Sequence, residues 1–407
     1  MFAVLNGLRV VELAAFIAAP MGGMALAQLG AEVIRIDAID GNADYRRWPL
    51  TRNGASLYWS GLNKAKRSVR IDLASPEGRE LAAALIAAPG PDAGILLTNF
   101  PMRGWLARGA LAARRADLIS LAITGDHTGR TAVDYTVNCA VGYPLMTGNA
   151  TPEAPVNHVL PAWDAITGMH AALGLLAAER ARRATGQGRH ITLALADVAF
   201  ATLGHLGQIA EWEINGAERM PIGNDLFGAF GRDFATRDGR RVMIVAITDR
   251  QWRGLVEATG IAEGCAAIER REGLRLTDEG DRFRARAAIA ALVAPWCAAR
   301  SLAEIAAAFD AHGVCWGPYQ SVAQALAEDP RCSPANPLFA RIEHPGIGTT
   351  LTPGSPLRFA DLPPLPVVPA PRLGADTDAV LADVLGLGDR AIGALRDRGV
   401  VAGPDSG

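Results

Sequence analysis

A chain of 407 residues, half of them apolar and a fifth charged, is long enough to build two compact domains with cores of their own. Forty basic residues against forty-two acidic ones leave a formal charge of −2, which argues against a nucleic-acid or membrane-surface protein. Any anion must therefore be held by cations placed locally. Five scattered cysteines without CxxC spacing indicate neither a disulfide framework nor a zinc site, so reduced thiols in a cytoplasmic protein are expected.

The amino terminus shows no basic leader or cleavage site, and no stretch reaches the ~20 uninterrupted apolar residues that a membrane-spanning helix needs. Taken in chain order, residues 8–13 read as a short apolar strand. Pro20 suits the first turn of a helix that Gly30 closes, and residues 32–37 form a second strand. Strand, helix and strand in so short a span make a βαβ unit and predict a parallel sheet. The pattern resumes with a strand over 68–73 and a helix that Ser75 caps and Pro76 opens. Strands follow over 94–98 and 118–123. An alanine- and leucine-rich helix is expected over 168–183, stopping at the glycines 186 and 188, before a strand over 189–195. Beyond about residue 200 the chain turns rich in Gly, Asn and Phe. A strand over 241–247 follows the Asp238-Gly239 turn, and helical segments run to about 328. Residues 330–371 are proline-rich and expected to be irregular, and 375–399 are helical again.

The turn after the first strand, AAFIAAPMGG, lacks the glycine pattern GxGxxG through which a dinucleotide fold cradles pyrophosphate. No Walker A, HExxH or GxSxG segment is present, and the histidines show no ligand spacing, so no metal is expected. Pro161-Ala162-Trp163-Asp164 stands directly before the long helix. Aspartate is a favoured helix cap, which explains Asp164 structurally. The same position supports a functional reading. A helix N-terminus aims unpaired N–H groups at the carboxylate, and those groups can stabilise an oxyanion when it attacks a thioester. Position alone does not choose between the two.

Five segments in order resemble the class III CoA-transferases, the family of formyl-CoA transferase and methylacyl-CoA racemase. They are LNGLRVVEL with AAPMGGMALAQLGAEVIRID, GLNKAKRSVRIDLASPEGREL, LLTNFPMRGWL, PAWDAITGMHAALGLLAAERARRATGQGRHITLALADV, and PAPRLGADTDAVLADVLGL. The resemblance implies an α/β fold: a Rossmann-like large domain with a parallel sheet over 1–195 and 330–407, a smaller α+β domain over 200–325, and linkers at 196–199 and 326–329. It also implies an interlocked homodimer. Asp164 matches the family's catalytic nucleophile, which forms an aspartyl anhydride and then an aspartyl-CoA thioester. The segments matched to CoA contacts hold Ile17, Asp72, Leu73, Ala74, Asn99, Phe100, Arg103 and Arg108. Ala38, after the EVIRID strand, departs from a position that is often basic in the family. The implied cofactor list is empty beyond the CoA that the substrate carries.

The family's racemases use a Gly-His-Asp stretch that aligns with Ala132-Val133-Asp134. Val133 can serve as neither acid nor base, which argues against a racemase. Further runs, among them DYRRWPLT, SLYWSGLNKAKRS, NHVLPAWDAITG and NPLFARIEHPGIGTTLTPGSPL, resemble the branch that moves CoA between two carboxyls of one branched unsaturated dicarboxylate in the 3-hydroxypropionate cycle of carbon fixation. A transferase with a separate acid acceptor is the alternative. Intramolecular transfer needs a closed site that retains the freed diacid. Arg46 and Arg47 are candidates for its distal carboxylate, Tyr135 and His158 for the pocket beside it, and the stretch 223–234 with Gly223, Gly228 and Gly231 for a loop that closes as a lid.

Overall fold

The structure, a computed structural model, describes residues 1–148 and 154–404. Its strands are the apolar runs read from the sequence, shifted by a residue or two at their ends: β1 (Arg9–Leu13), β2 (Glu32–Asp37), β3 (Arg67–Ile71), β4 (Ile95–Thr98), β5 (Ile119–Thr124) and β6 (His190–Ala194). Between them stand α1 (Ala18–Gln28), α2 (Leu57–Leu62), α3 (Pro76–Ala87), α4 (Arg108–Arg114), α5 (Asp134–Ala140) and α6 (Ala162–Thr185). Six strands run parallel in the order β3-β2-β1-β4-β5-β6, and Val401–Ala402 adds antiparallel to the β3 edge. Nearly every residue of β1, β2 and β4 is buried, as a parallel sheet covered on both faces requires. One apolar cluster packs α3 and the C-terminal helices on one face; another packs α1 and α6 on the other.

The strand order reverses between β1 and β4. In open α/β sheets that reversal leaves a crevice at the carboxyl ends of the strands, where ligands bind. The long helix is drawn to the same end by two glycines. A Cβ on Gly22 of α1 would lie 2.8 Å from the Gly168 carbonyl oxygen, and one on Gly168 would lie 2.7 Å from the Ala18 carbonyl oxygen. Bare backbones at the crossing bring the start of α6 close to the β1–α1 turn.

The chain divides into two compact units, one of residues 1–141, 158–217 and 330–407, the other of 142–157 and 218–329. The second holds a three-stranded antiparallel sheet, Phe230–Ala235, Arg241–Ala246 and Cys315–Pro318, over a core that includes Phe230, Trp252, Leu255, Ile289 and Phe309. Several sequence expectations are corrected. The long helix starts at Ala162 and takes in Asp164, which was expected to stand directly before it, because residues 162–167 have no helix breaker and the first N–H groups find acceptors. The expected linker 196–199 lies inside the helix Leu195–His205, and most of 326–329 lies in Val322–Glu328. Within the proline-rich stretch, Phe339–His344 and Gly348–Pro353 pair as a hairpin.

Candidate active site

Asp164 occupies the third position of α6, and it is not the helix cap. That role falls to Asp134, the buried first residue of α5, whose Oδ2 accepts from the backbone N–H groups of Trp163 at 2.7 Å and Asp164 at 3.1 Å. Its other oxygen lies 2.8 Å from His158 Nε2. The neighbouring N–H groups are taken as well: Ala162 donates to the Leu160 carbonyl and Ala165 to the Pro161 carbonyl. The expectation that these helix N–H groups face an oxyanion is therefore overturned, since a second carboxylate and the local backbone already satisfy them.

Among the described residues the Asp164 carboxylate makes no hydrogen bond or ion pair. Burial pushes it up to about 6, the negative charge of Asp134 adds to that, and the Arg47 guanidinium pulls the other way. A carboxylate with this value is still mostly ionised at neutral pH, and it has neither a cap nor a salt bridge to give up before attacking a carbonyl.

Arg47 lies over two rings, 5.5 Å from the centroid of Phe16 and 5.4 Å from that of Tyr58. These are cation–π distances. Its backbone is pinned on both sides: the Arg47 N–H donates to the Asp44 carbonyl, and Ser56 Oγ donates to the Arg47 carbonyl at 2.6 Å. Asp44 is in turn held by the buried Arg35, which also reaches Asp37, Glu12 and Asn63. Burial pushes the Tyr58 hydroxyl up to about 12, and the Asp164 charge acts in the same direction. Phe16 has φ +68°, a left-handed conformation that a bulky residue adopts only where its surroundings impose it. Asn99, directly after β4, pins the residue before Phe16. Its Oδ1 accepts from the Ala15 N–H at 3.1 Å and its Nδ2 donates to the Ala15 carbonyl at 2.8 Å, across the crevice between β1 and β4.

The residues expected to meet CoA gather at the carboxyl ends of these strands. Ile17 precedes α1, and Asp72, Leu73 and Ala74 form the turn after β3, where the Ala74 N–H donates to Asp72 Oδ1 at 3.0 Å. Leu73 and Phe100 are half-buried against the core beside Met102 and Trp105. Arg103 and Arg108 are exposed and flank the short turn Gly104–Leu106, with no ion-pair partner among the described residues. Asn99 also spends one bond from each end of its amide on Ala15.

The candidate substrate residues divide. Arg47 acts on Asp164, whereas Arg46 lines a cavity that does not include Asp164. His158 is engaged with Asp134, and the edge of the Tyr135 ring packs on it with centroids 6.1 Å apart. Gly231 is a strand residue rather than part of a loop: a Cβ there would meet Leu226 Cβ at 2.8 Å. Gly223 and Gly228 take left-handed φ of +65° and +83° before that strand, in the second unit. The capping role of Asp134 and the contribution of Tyr58 and Phe16 were not foreseen.

No helix among the described residues is long and apolar enough to cross a membrane, and no cluster of three or more His, Cys, Asp or Glu with metal-binding geometry occurs among them. The sequence model of CoA-transferase family III matches residues 5–377. The chain belongs to this family. It is 57% identical over 403 residues to the 2-methylfumaryl-CoA isomerase of Chloroflexus aurantiacus, a match spanning 99% of this chain and 98% of that one. The human succinyl-CoA:glutarate CoA-transferase is 26% identical, with 98% of this chain and 90% of that protein covered. The crystal structure of a CaiB/BaiF family protein from Brucella suis superimposes with a TM-score of 0.76 at 26% identity, over 94% of this chain and 100% of the other. A Rossmann-like α/β enzyme of the class III CoA-transferase type is thus established from both sequence and fold.

Proposed function

We propose that the protein is a 2-methylfumaryl-CoA isomerase, which moves CoA from one carboxyl of 2-methylfumarate to the other within a single bound molecule. The observation that carries the reading is the uncommitted Asp164 carboxylate beside Arg47, in a chain 57% identical to an enzyme with that activity. Asp164 attacks the thioester carbonyl, and the C–S bond breaks to give a mixed anhydride and CoA thiolate. The thiolate then attacks the aspartyl carbonyl, leaving an aspartyl-CoA thioester and the free diacid. The other carboxylate of that diacid displaces the thiolate from Asp164 as a new anhydride. Thiolate attack on the substrate carbonyl completes 3-methylfumaryl-CoA and restores the aspartate.

Arg47 is the group that holds the carboxylate not under attack, since its fork is fixed between Phe16 and Tyr58 and fits a carboxylate bidentately. The crevice between β1 and β4 takes the CoA portion, with Leu73 and Phe100 as an apolar floor and Arg103 and Arg108 beside its phosphates. A second copy of the chain completes the enzyme as a homodimer. Phe200, Leu206, Ile209, Trp212 and Ile214 support this by standing exposed on and between the helices Leu195–His205 and Gln208–Asn215, apolar surface that solvent does not favour.

The test is incubation of 2-methylfumaryl-CoA with the enzyme in the presence of labelled free 2-methylfumarate. Formation of the 4-thioester without label in the product is the expected result. Label in the product makes the protein an intermolecular transferase instead. Light scattering on the purified protein reads the dimer, and a monomer mass at micromolar concentration refutes it.

A further inference from the structure

On the side of α2 that carries Trp59 and Ser60, the unit containing the large sheet has a cavity of about 600 Å3. Its wall is made by Tyr45 and Arg46, residues 53–56, Trp59 and Ser60, the hairpin turn 344–347 and residues 370–373. No aspartate or glutamate lines it, and two arginines do, Arg46 and Arg372. Both are exposed, and neither guanidinium has a hydrogen-bond or ion-pair partner among the described residues. Two cations with no counter-charge in the wall make the cavity electropositive in a protein whose net charge is negative.

Two further side chains of the same wall are buried. Trp59 and His344 are 4% and 5% exposed, and Trp59 Nε1 and His344 Nδ1 have no hydrogen-bond partner. Thr352 Oγ1, 2.8 Å from His344 Nε2, fixes the ring, and the positive charge of Lys64 acts on it. The cavity is separate from the candidate active site, although the two are neighbours in sequence: Arg47 lies over Phe16 and Tyr58, while Arg46 and Trp59 belong to this wall.

We propose that this cavity binds a small multivalent anion bearing carboxylate or phosphate groups, gripped by Arg46 and Arg372. Each guanidinium presents a fork that pairs with two oxygens of one anionic group, so two such groups on one molecule match the two arginines. The volume lies within the range of small-molecule sites.

The experiment is thermal unfolding and calorimetric titration of the full-length protein with citrate and, separately, pyrophosphate, against sodium chloride at equal ionic strength. A saturable rise in Tm beyond the chloride control is expected with citrate, with pyrophosphate or with both, and the arm that responds names the chemistry. In R46A/R372A the anion binds about tenfold or more weakly. Both arginines are exposed and unpaired, so the double variant is expected to keep the wild-type Tm in chloride. If that Tm falls, R46K/R372K serves in its place, keeping the charge while losing the forks. Weaker binding in R46K/R372K supports the proposal, and unchanged affinity overturns it. No response beyond chloride overturns the proposal. So does a response that survives in R46A/R372A and disappears in R47A, which places the anion beside Asp164.

Discussion

Asp134 accepts a hydrogen bond at 3.1 Å from the backbone N–H of Asp164, a residue 30 positions further along the chain. One aspartate thereby caps the helix on which the other stands. The arrangement releases the Asp164 side chain from the task its position would give it. Burial already makes ionisation of Asp164 harder than in water, and the second negative charge placed near it adds to that.

The first prediction concerns the acid limb of kcat/KM, which reports groups of the free enzyme. With Asp164 pushed up to about 6, activity falls as the pH drops through that value. Replacing Asp134 with Asn keeps an oxygen for the helix N–H groups and removes the negative charge. The limb then moves to lower pH. A limb that stays in place in D134N shows that Asp134 does not act on the nucleophile.

Asp164→Asn abolishes turnover and is expected to stabilise the fold. The folded value, about 6, lies above the ordinary 3.8, so the fold favours the protonated carboxyl. The stability this lends is fully present below about pH 4 and is lost as pH rises through 6. At pH 7.5 the ionised carboxylate therefore costs roughly 1–3 kcal/mol, which the neutral amide avoids. Urea unfolding at pH 7.5 and pH 4 tests this: D164N gains at the first and little at the second.

The strands and the helix that Ser75 caps were legible because their signals are local: apolar runs, Pro76 after the cap, glycines at turns. The parallel pairing of the sheet was legible for the same reason, whereas the order of its strands was not. The Asp134 cap was not legible. It joins residues 29 and 30 positions apart, and no short-range pattern distinguishes it from an aspartate that caps its own helix. Arg46 and Arg47 read alike as loop charges, and only the fold separates them, one toward Phe16 and Tyr58 and one into another cavity. The hairpin Phe339–Pro353 was not legible because the prolines around it dominate the composition of the whole stretch.

Arg47→Lys keeps the charge and loses the planar fork and its contact with the Phe16 and Tyr58 rings. The KM for the CoA thioester is expected to rise about tenfold, the cost of one bidentate contact. Arg47→Ala adds an effect on the pH profile. The Arg47 charge lowers the Asp164 value, so its removal moves the acid limb to higher pH, opposite to D134N. Parallel kcat/KM profiles of the two variants check the opposed directions, and shifts of the same sign contradict the geometry.

The last prediction lies beneath the site. Arg35 is fully buried, and its guanidinium reaches Asp37, Asp44, Glu12 and Asn63, while Lys66 shares Glu12 and Asn63. Three carboxylates thus depend on two cations inside the protein. Arg35→Ala removes one cation and leaves buried acids uncompensated, a loss of about 3–5 kcal/mol. The same change releases Asp44, whose carbonyl anchors the Arg47 N–H. Destabilisation should therefore come with a raised KM. Asp44→Asn separates the two effects: it keeps a partner for Arg35, so it costs less stability, yet it loosens the loop that aims Arg47. Chemical unfolding and steady-state kinetics on both variants test this coupling. A normal KM in D44N would mean that Arg47 is held by Ser56 and its two rings alone.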